Sequence, residues 1–309
     1  MPAVSVVIPS YNHARFLPDC LQSLLQQTRS DWEAIVVDDA STIGDVRQVI
    51  NMFNDPRIKL VCHERNKGLA AARNTGFRLA RAELVLPLDA DDKLLPQCLQ
   101  YMVQGLEKNP DADCIFGDLQ LFGDSINVWH YRVQDARAMT MSQWIPGPST
   151  VMRRSLWERI GGYCEAEELR AGNEDWDFWL GAVSREFHPV HISAALYLYR
   201  VQGDSMATRL RYQYSNTCEF MYLRHKLLFE QHGTSGVFLS NGYRVSAIAA
   251  WARGEYMRAL RMARTAITKS PNPLSTMNYL SRHCFPALTN NRARVVKSIR
   301  DKWCQMRKS

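Results

Sequence analysis

Three carboxylates, Asp89, Asp91 and Asp92, sit in the segment LDADD directly after an apolar run. Like charges crowded on one loop oppose each other's ionisation unless something offsets them. A hard cation such as Mn²⁺ or Mg²⁺ does this, and it bridges to phosphate oxygens. Negative charge developing on a leaving diphosphate would be stabilised there. The same segment also suits a helix cap, because Asp92 precedes KLLPQCLQYM. A second acidic pair, Asp38-Asp39 in DDAST, can accept the imide N–H of uracil or thymine, or cap a helix over Val46–Phe53. Arg73 and Asn74 follow Asn66-Lys67-Gly68; a buried guanidinium there would orient the acidic loops or reach a diphosphate. Asn173-Glu174-Asp175-Trp176 opens an apolar helix. Asp175 there is a candidate general base for an attacking hydroxyl, or half of a capping pair with Glu174.

These groups need elements to bring them together. Val4–Ile8 is a β-branched run suited to a strand buried on both faces, and Trp32–Val37, Ile58–Cys62 and Glu83–Leu88 read as further strands. Phe16–Gln27, Val46–Phe53 and Leu69–Arg81 read as the helices between them. Such alternation predicts an α/β fold with a parallel sheet flanked by helices. Ligands of such sheets bind beyond the carboxyl ends of the strands. Ser10-Tyr11-Asn12, Asp38-Asp39 and Asp89–Asp92 each follow a strand, so three separate segments converge on one edge. Further on, Cys114–Phe122 and Ala195–Val201 read as strands and Trp176–Arg185 as a helix. Trp144, in WIPGPS, suits either a sugar-stacking face or a core position.

The chain has 309 residues, 46% of them hydrophobic, and a net charge of +7. Residues 206–309 hold 18 Lys+Arg against 4 Asp+Glu, which leaves 20 against 27 for residues 1–205. An acidic front half excludes nucleic acid as its main partner. The basic rear half suits an anionic membrane surface or a solvated helical face. Arg292, Arg294, Lys297, Arg300, Lys302, Arg307 and Lys308, with Val295, Val296, Ile299 and Trp303, motivate the membrane expectation. The eight cysteines are dispersed, with no C-x-x-C spacing, which argues against a zinc site. Without a signal-peptide pattern or a long apolar stretch, the expectation is a cytoplasmic protein with reduced thiols, peripheral at the inner face of the membrane. In residues 246–270, small residues from Ala247 to Ala266, Gly254 before Tyr256, and Pro271 beyond suggest one tetratricopeptide-type helix pair. The domain division expected is 1–205 and a helical appendage over 206–309.

The ordered segments VSVVIPSYN, LLQQT, VVDDAST, NKGLAAARNTG, LDADD and GGYCEAEELRAGNEDWDFWL resemble the family 2 glycosyltransferases. The resemblance implies a GT-A fold, with a Rossmann-like, mostly parallel sheet. It also implies an inverting transfer of sugar from a nucleotide-sugar donor, UDP-linked, to a glycan, lipid-linked or protein acceptor in surface-glycan biosynthesis. By the same resemblance Pro9, Ser10, Tyr11 and Asn12 line the nucleoside pocket. Asp39 contacts the base beside Asp38, and Gly68 and Arg73 floor the donor site. Asp89 and Asp91 meet the donor, Asp91 and Asp92 hold the metal, and Asp175 is the base. Two positions depart from the family pattern: Gln202 stands where many relatives carry a histidine, and Cys164 replaces an acidic residue. Competing expectations are a sugar nucleotidyltransferase, disfavoured because Ser10–Phe16 has no glycine for triphosphate binding, and a non-catalytic nucleotide-sugar scaffold.

Overall fold

Strand β1, Val4–Ser10, is buried along its whole length, as its β-branched composition requires. It lies between β2 (Trp32–Asp38) and β4 (Leu84–Pro87), parallel to both, and β3 (Ile58–Cys62) extends the parallel half beyond β2. The second half is mixed. Strand β8 (Val151–Arg153) runs antiparallel to β4 and to β6 (Cys114–Gly123), whereas β6 and the long β9 (Pro189–Val201) are parallel. Short β5 (Lys93–Leu94) and β7 (Val128–Trp129) pair antiparallel with β9 and β6. The sheet order is β3-β2-β1-β4-β8-β6-β9-β5, with β7 beside β6. This computed structural model describes residues 1–202 and 210–284.

Helices α1 (Leu17–Leu25), α2 (Val46–Phe53), α3 (Leu69–Leu79) and α4 (Cys98–Lys108) connect or flank these strands. Val4, Val6, Ile8, Val36, Leu86 and Leu99 share the main core with Leu17, Leu21 and Leu24 of α1. Each such side chain, taken from water, stabilises the fold by about 1.5–3 kcal/mol before chain entropy is counted. Helix α3 approaches β1 closely: a Cβ on Gly76 would lie 2.9 Å from Val7 Cγ2 and overlap its other methyl. That glycine therefore sets the height at which Arg73 and Asn74 ride over the strand ends. Helices α5 (Ala136–Met139), α6 (Arg154–Ile160) and α7 (Glu174–Val183) follow, the last nearly all buried.

The chain forms two compact units, Met1–Met206 and Ala207–Ser309. The described part of the second is helical: α8 (Tyr214–Arg224), α9 (Lys226–Gln231), α10 (Ser235–Ala252), α11 (Tyr256–Lys269) and α12 (Pro273–Cys284). Ala247, Ala250, Ala259 and Ala266 are all buried, as a close-packed helix pair needs, and Gly254 makes the turn with φ +77°. Among the described residues no helix is long and apolar enough to cross a membrane. The basic and apolar tail from Arg292 to Lys308 lies outside the described residues.

Candidate active site

The acidic loop begins where β4 ends. The Leu88 amide donates to Val7 O at 2.9 Å and the Asp92 amide to Asp89 O at 3.0 Å, closing a tight turn. Within it the three carboxylates have different surroundings. Asp92 is 1% exposed. Its Oδ2 accepts from Tyr197 Oη at 2.7 Å and its Oδ1 from the Arg200 amide at 2.7 Å. Burial, then Asp89 and Asp91, push its pKa well above the carboxylate range. Asp92 thus ties the loop to β9. Both oxygens of this expected metal ligand carry a hydrogen bond from β9. Asp91 is half-buried and takes one side-chain donor, Gln202 Nε2 at 3.2 Å. Its pKa is raised by burial and by Asp89. Asp89 is also half-buried and commits Oδ1 to Arg73 Nη2 at 2.8 Å.

Arg73 joins this loop to the helix that carries Asp175. Its side chain is 3% exposed. One arm meets Asp89 and the other meets Glu174 Oε1, the first residue of α7, while Tyr163 lies 5.6 Å below it. Burial works against the guanidinium's charge, but Asp89 and Glu174 outweigh it and hold Arg73 well above the ordinary arginine range. Burial pushes Glu174 up to about 7, with Arg73 opposing. Asn74 acts as a clamp. Its Nδ2 donates to Tyr163 O and Glu165 Oε1, and its Oδ1 accepts from Trp157 Nε1 and the Tyr163 amide. That network fixes the GGYCE turn on α3, with Cys164 half-buried beside it.

Asp175 lies in the first turn of α7. Its Oδ2 accepts from Gln143 Nε2 at 2.8 Å, and its Oδ1 from the Trp176 amide at 2.8 Å. Gly147 packs behind it: a Cβ there would sit 2.8 Å from Asp175 Cβ and overlap the carboxylate. Trp144, read as a sugar-stacking candidate or a core residue, is in the core at 4% exposure.

The other strand ends build an adjoining edge. Pro9 is buried opposite Val37, and Ser10 is 1% exposed with a hydroxyl that has no partner among the described residues. Tyr11 is 44% exposed. Asn12, at φ +61°, accepts the Thr42 and Ile43 amides on Oδ1 and locks β1 to the loop after β2. Asp38 accepts the Ser41 amide at 3.0 Å. Asp39 is 3% exposed; its oxygens accept the Lys67 and Gly68 amides at 2.8 Å each, and His63 Nδ1 lies 2.7 Å away. Asp39 therefore organises the turn into α3, where Gly68 adopts φ +95°, and Asp38 occupies the more open position. Arg170 Nη2 donates to Asn66 and ties that turn to the segment preceding α7.

The sequence assigns no site role to Tyr197, Arg200, Gln143 or Gly147, nor a bridging one to Glu174. Tyr197 and Arg200 alternate on β9 as ordinary strand residues do, and Gln143 lies in a stretch without periodicity.

A family model described as Glycosyl transferase family 2 matches residues 5–166. The putative glycosyltransferase EpsE of Bacillus subtilis is 30% identical over 223 residues, covering 67% of this chain and 76% of that protein. The putative teichuronic acid biosynthesis glycosyltransferase TuaG of the same organism is 28% identical over 213 residues, 67% of this chain and 82% of that one. The crystal structure of S. aureus TarS in complex with UDP-GlcNAc matches with a TM-score of 0.65 at 17% identity, over 88% of this chain and 82% of that chain. The likeness in structure gives the fold, which is GT-A as the sequence led one to expect.

Proposed function

This chain belongs to glycosyl transferase family 2, and from that premise we propose that it moves a sugar from a UDP-linked donor to a hydroxyl acceptor, with inversion, in surface-glycan biosynthesis. The observation that carries the proposal is the buried Arg73, which holds Asp89 and Glu174 at once and so keeps the acidic loop and the base-bearing helix in one site. TuaG, by its name a biosynthetic enzyme of teichuronic acid, and TarS, solved with UDP-GlcNAc, support the substrate classes.

Asp91 and Asp89 suit a divalent cation, Mn²⁺ or Mg²⁺. Both are half-buried and neither carboxylate is fully engaged, in contrast to Asp92. No cluster of three or more Asp, Glu, His or Cys side chains forms a metal cage among the described residues. Mg²⁺ at phosphate sites is commonly held by one or two carboxylates together with substrate oxygens, so two acidic residues suffice. When bound, the cation supplies charge stabilisation to the departing diphosphate. Gln202 takes the place beside Asp91 that the family resemblance assigns to a histidine, and it orients that carboxylate through its amide.

The remaining steps belong to the protein's own side chains. Ser10, Tyr11, Asn12, Asp38 and Gly68 line the nucleoside pocket, with Pro9 and Asp39 as its rear wall. The exposed Tyr11 ring can cover the base. Asp175, held by Gln143 and the Trp176 amide, takes the proton of the acceptor hydroxyl as that oxygen bonds to the anomeric carbon. The bond from that carbon to the diphosphate breaks on the opposite side. A weak base gains from positioning here, since a well-aligned attack lowers the barrier by several kcal/mol.

Thermal shift with UDP, GDP and UDP-sugars, with and without Mn²⁺, tests the donor reading. A UDP-dependent rise in Tm that needs Mn²⁺ in the wild type and vanishes in Asp91→Asn supports it. Equal shifts without metal, or none with any UDP compound, overturn it.

A further inference from the structure

We propose that Trp129 and Tyr199 form the acceptor platform of this site and that the acceptor presents a pyranose ring to it. The proposal rests on the transfer reading above and names its acceptor class.

The strand register places these rings. Trp129 of β7 lies opposite Leu119 of β6, Leu119 lies opposite Tyr197 of β9, and Leu121 lies opposite Tyr199. Cross-strand partners share a face, as do residues two apart on one strand. Trp129, Tyr197 and Tyr199 therefore project from the same side of the sheet. On that side the Tyr197 hydroxyl reaches Asp92 at 2.7 Å and the Asp89 amide at 3.3 Å, so the face leads directly to the acidic loop. The Trp129 and Tyr199 rings are 5.6 Å apart and tilted by 35°, making one continuous aromatic surface. Trp129 is 46% exposed, so its ring is open to a ligand.

Tyr199 lies two residues beyond Tyr197 on the same strand face. Burial first, and then the acidic residues around it, push its phenol's pKa up. No described residue hydrogen-bonds its hydroxyl. Tyr131, part-buried and also within the field of Asp175, has its backbone amide fixed to Asp118 Oδ1 at 3.0 Å. An aromatic wall that leads to the acidic loop and carries a phenol bonded by no described residue fits a ligand that has an apolar face and a hydroxyl rim. A pyranose has both. A peptide would instead seek a strand edge for its backbone, and an acyl chain an apolar tunnel. The transferred sugar of the donor shares this chemistry with the acceptor, so the test separates the two.

The test measures UDP release from a UDP-sugar that the wild-type protein hydrolyses. Octyl β-glucoside and octyl N-acetyl-β-glucosaminide are the added probes, against glycerol and a serine-containing hexapeptide. The expected result is faster UDP release with a pyranoside only. Trp129→Ala should raise the pyranoside concentration for half-stimulation roughly tenfold, and Tyr199→Phe roughly threefold, with the donor KM moving far less. Trp129 is substantially exposed and Tyr199→Phe removes one oxygen, so both variants should fold. Stimulation by glycerol or peptide alone, no stimulation by either pyranoside, or unchanged half-stimulation in both variants overturns the proposal. A rise in donor KM without change for the pyranoside would assign the platform to the transferred sugar and also overturn it. Absence of any donor turnover in the wild type would overturn the transfer reading and this proposal with it.

Discussion

Replacing Arg73 by methionine tests the link between the acidic loop and α7. Methionine keeps much of the buried bulk and removes the charge, so packing loss is kept small. The Arg73 side chain is 3% exposed and its two acidic partners differ in access, with the Asp89 side chain 26% exposed and that of Glu174 5% exposed. Asp89 can rehydrate; Glu174 cannot. Removing one member of a buried pair destabilises by about 3–5 kcal/mol. For a unit of this size each kcal/mol lowers Tm by about 2–4 °C, so the variant should unfold about 6–20 °C lower. The loss should depend on pH. The folded pKa of Glu174, about 7, is above that of a free glutamate. Its protonated form is thus favoured in the fold, and its contribution to stability is present in acid and lost as pH rises through about 7. Without Arg73 the ionised form has no buried cation, so the deficit should be larger at pH 8 than at pH 6. Adding Glu174→Gln should recover part of the loss at pH 8 and little at pH 6. Differential scanning calorimetry of the four proteins of this cycle at both pH values reads all of this. A single variant within 2 °C of wild type at both pH values that still transfers sugar would refute the reasoning.

Two further outcomes follow from the same geometry. Gln143→Ala frees one Asp175 oxygen and Gly147→Ala intrudes on its carboxylate; kcat should fall about 10–100-fold in each, with Tm nearly unchanged for Gln143→Ala, and steady-state kinetics beside thermal melts would expose a purely structural role. Asp91→Asn and Asp92→Asn should separate: the first raises the Mn²⁺ needed for half-maximal activity at least tenfold, as metal titrations would show, and the second mainly lowers Tm, because Asp92 already holds Tyr197 and the Arg200 amide.

The parallel half of the fold was legible in the sequence because a doubly buried strand must be apolar and β-branched. Val46–Phe53 and Ile58–Cys62 have the bounds that periodicity predicts. Strands β5, β7 and β8 were not, since two or three residues carry no period. The convergence of Asp38, Asp39, Asp89 and Asp91 on neighbouring strand ends followed from topology alone. The division of labour among the acidic residues did not. Whether Asp92 faces a cation or Tyr197 depends on β9, more than a hundred residues away. That Asp39 also accepts the Lys67 and Gly68 amides is likewise set by the fold, as those residues lie on a separate segment. Gln143 finds Asp175 only through the fold, as neither its type nor its neighbours mark it.

Transfer as proposed has a sugar leave a nucleoside diphosphate while Asp175 accepts the acceptor's proton. It is tested most directly by ³¹P NMR of the wild type and Asp175→Asn with a panel of UDP-sugars, Mg²⁺ and a pyranoside acceptor. UDP should appear without pyrophosphate in the wild type, and its rate of formation should fall by at least about 10²-fold in Asp175→Asn while UDP binding persists. Release of pyrophosphate from a nucleoside triphosphate and a sugar phosphate, or an undiminished rate in the variant, would contradict it.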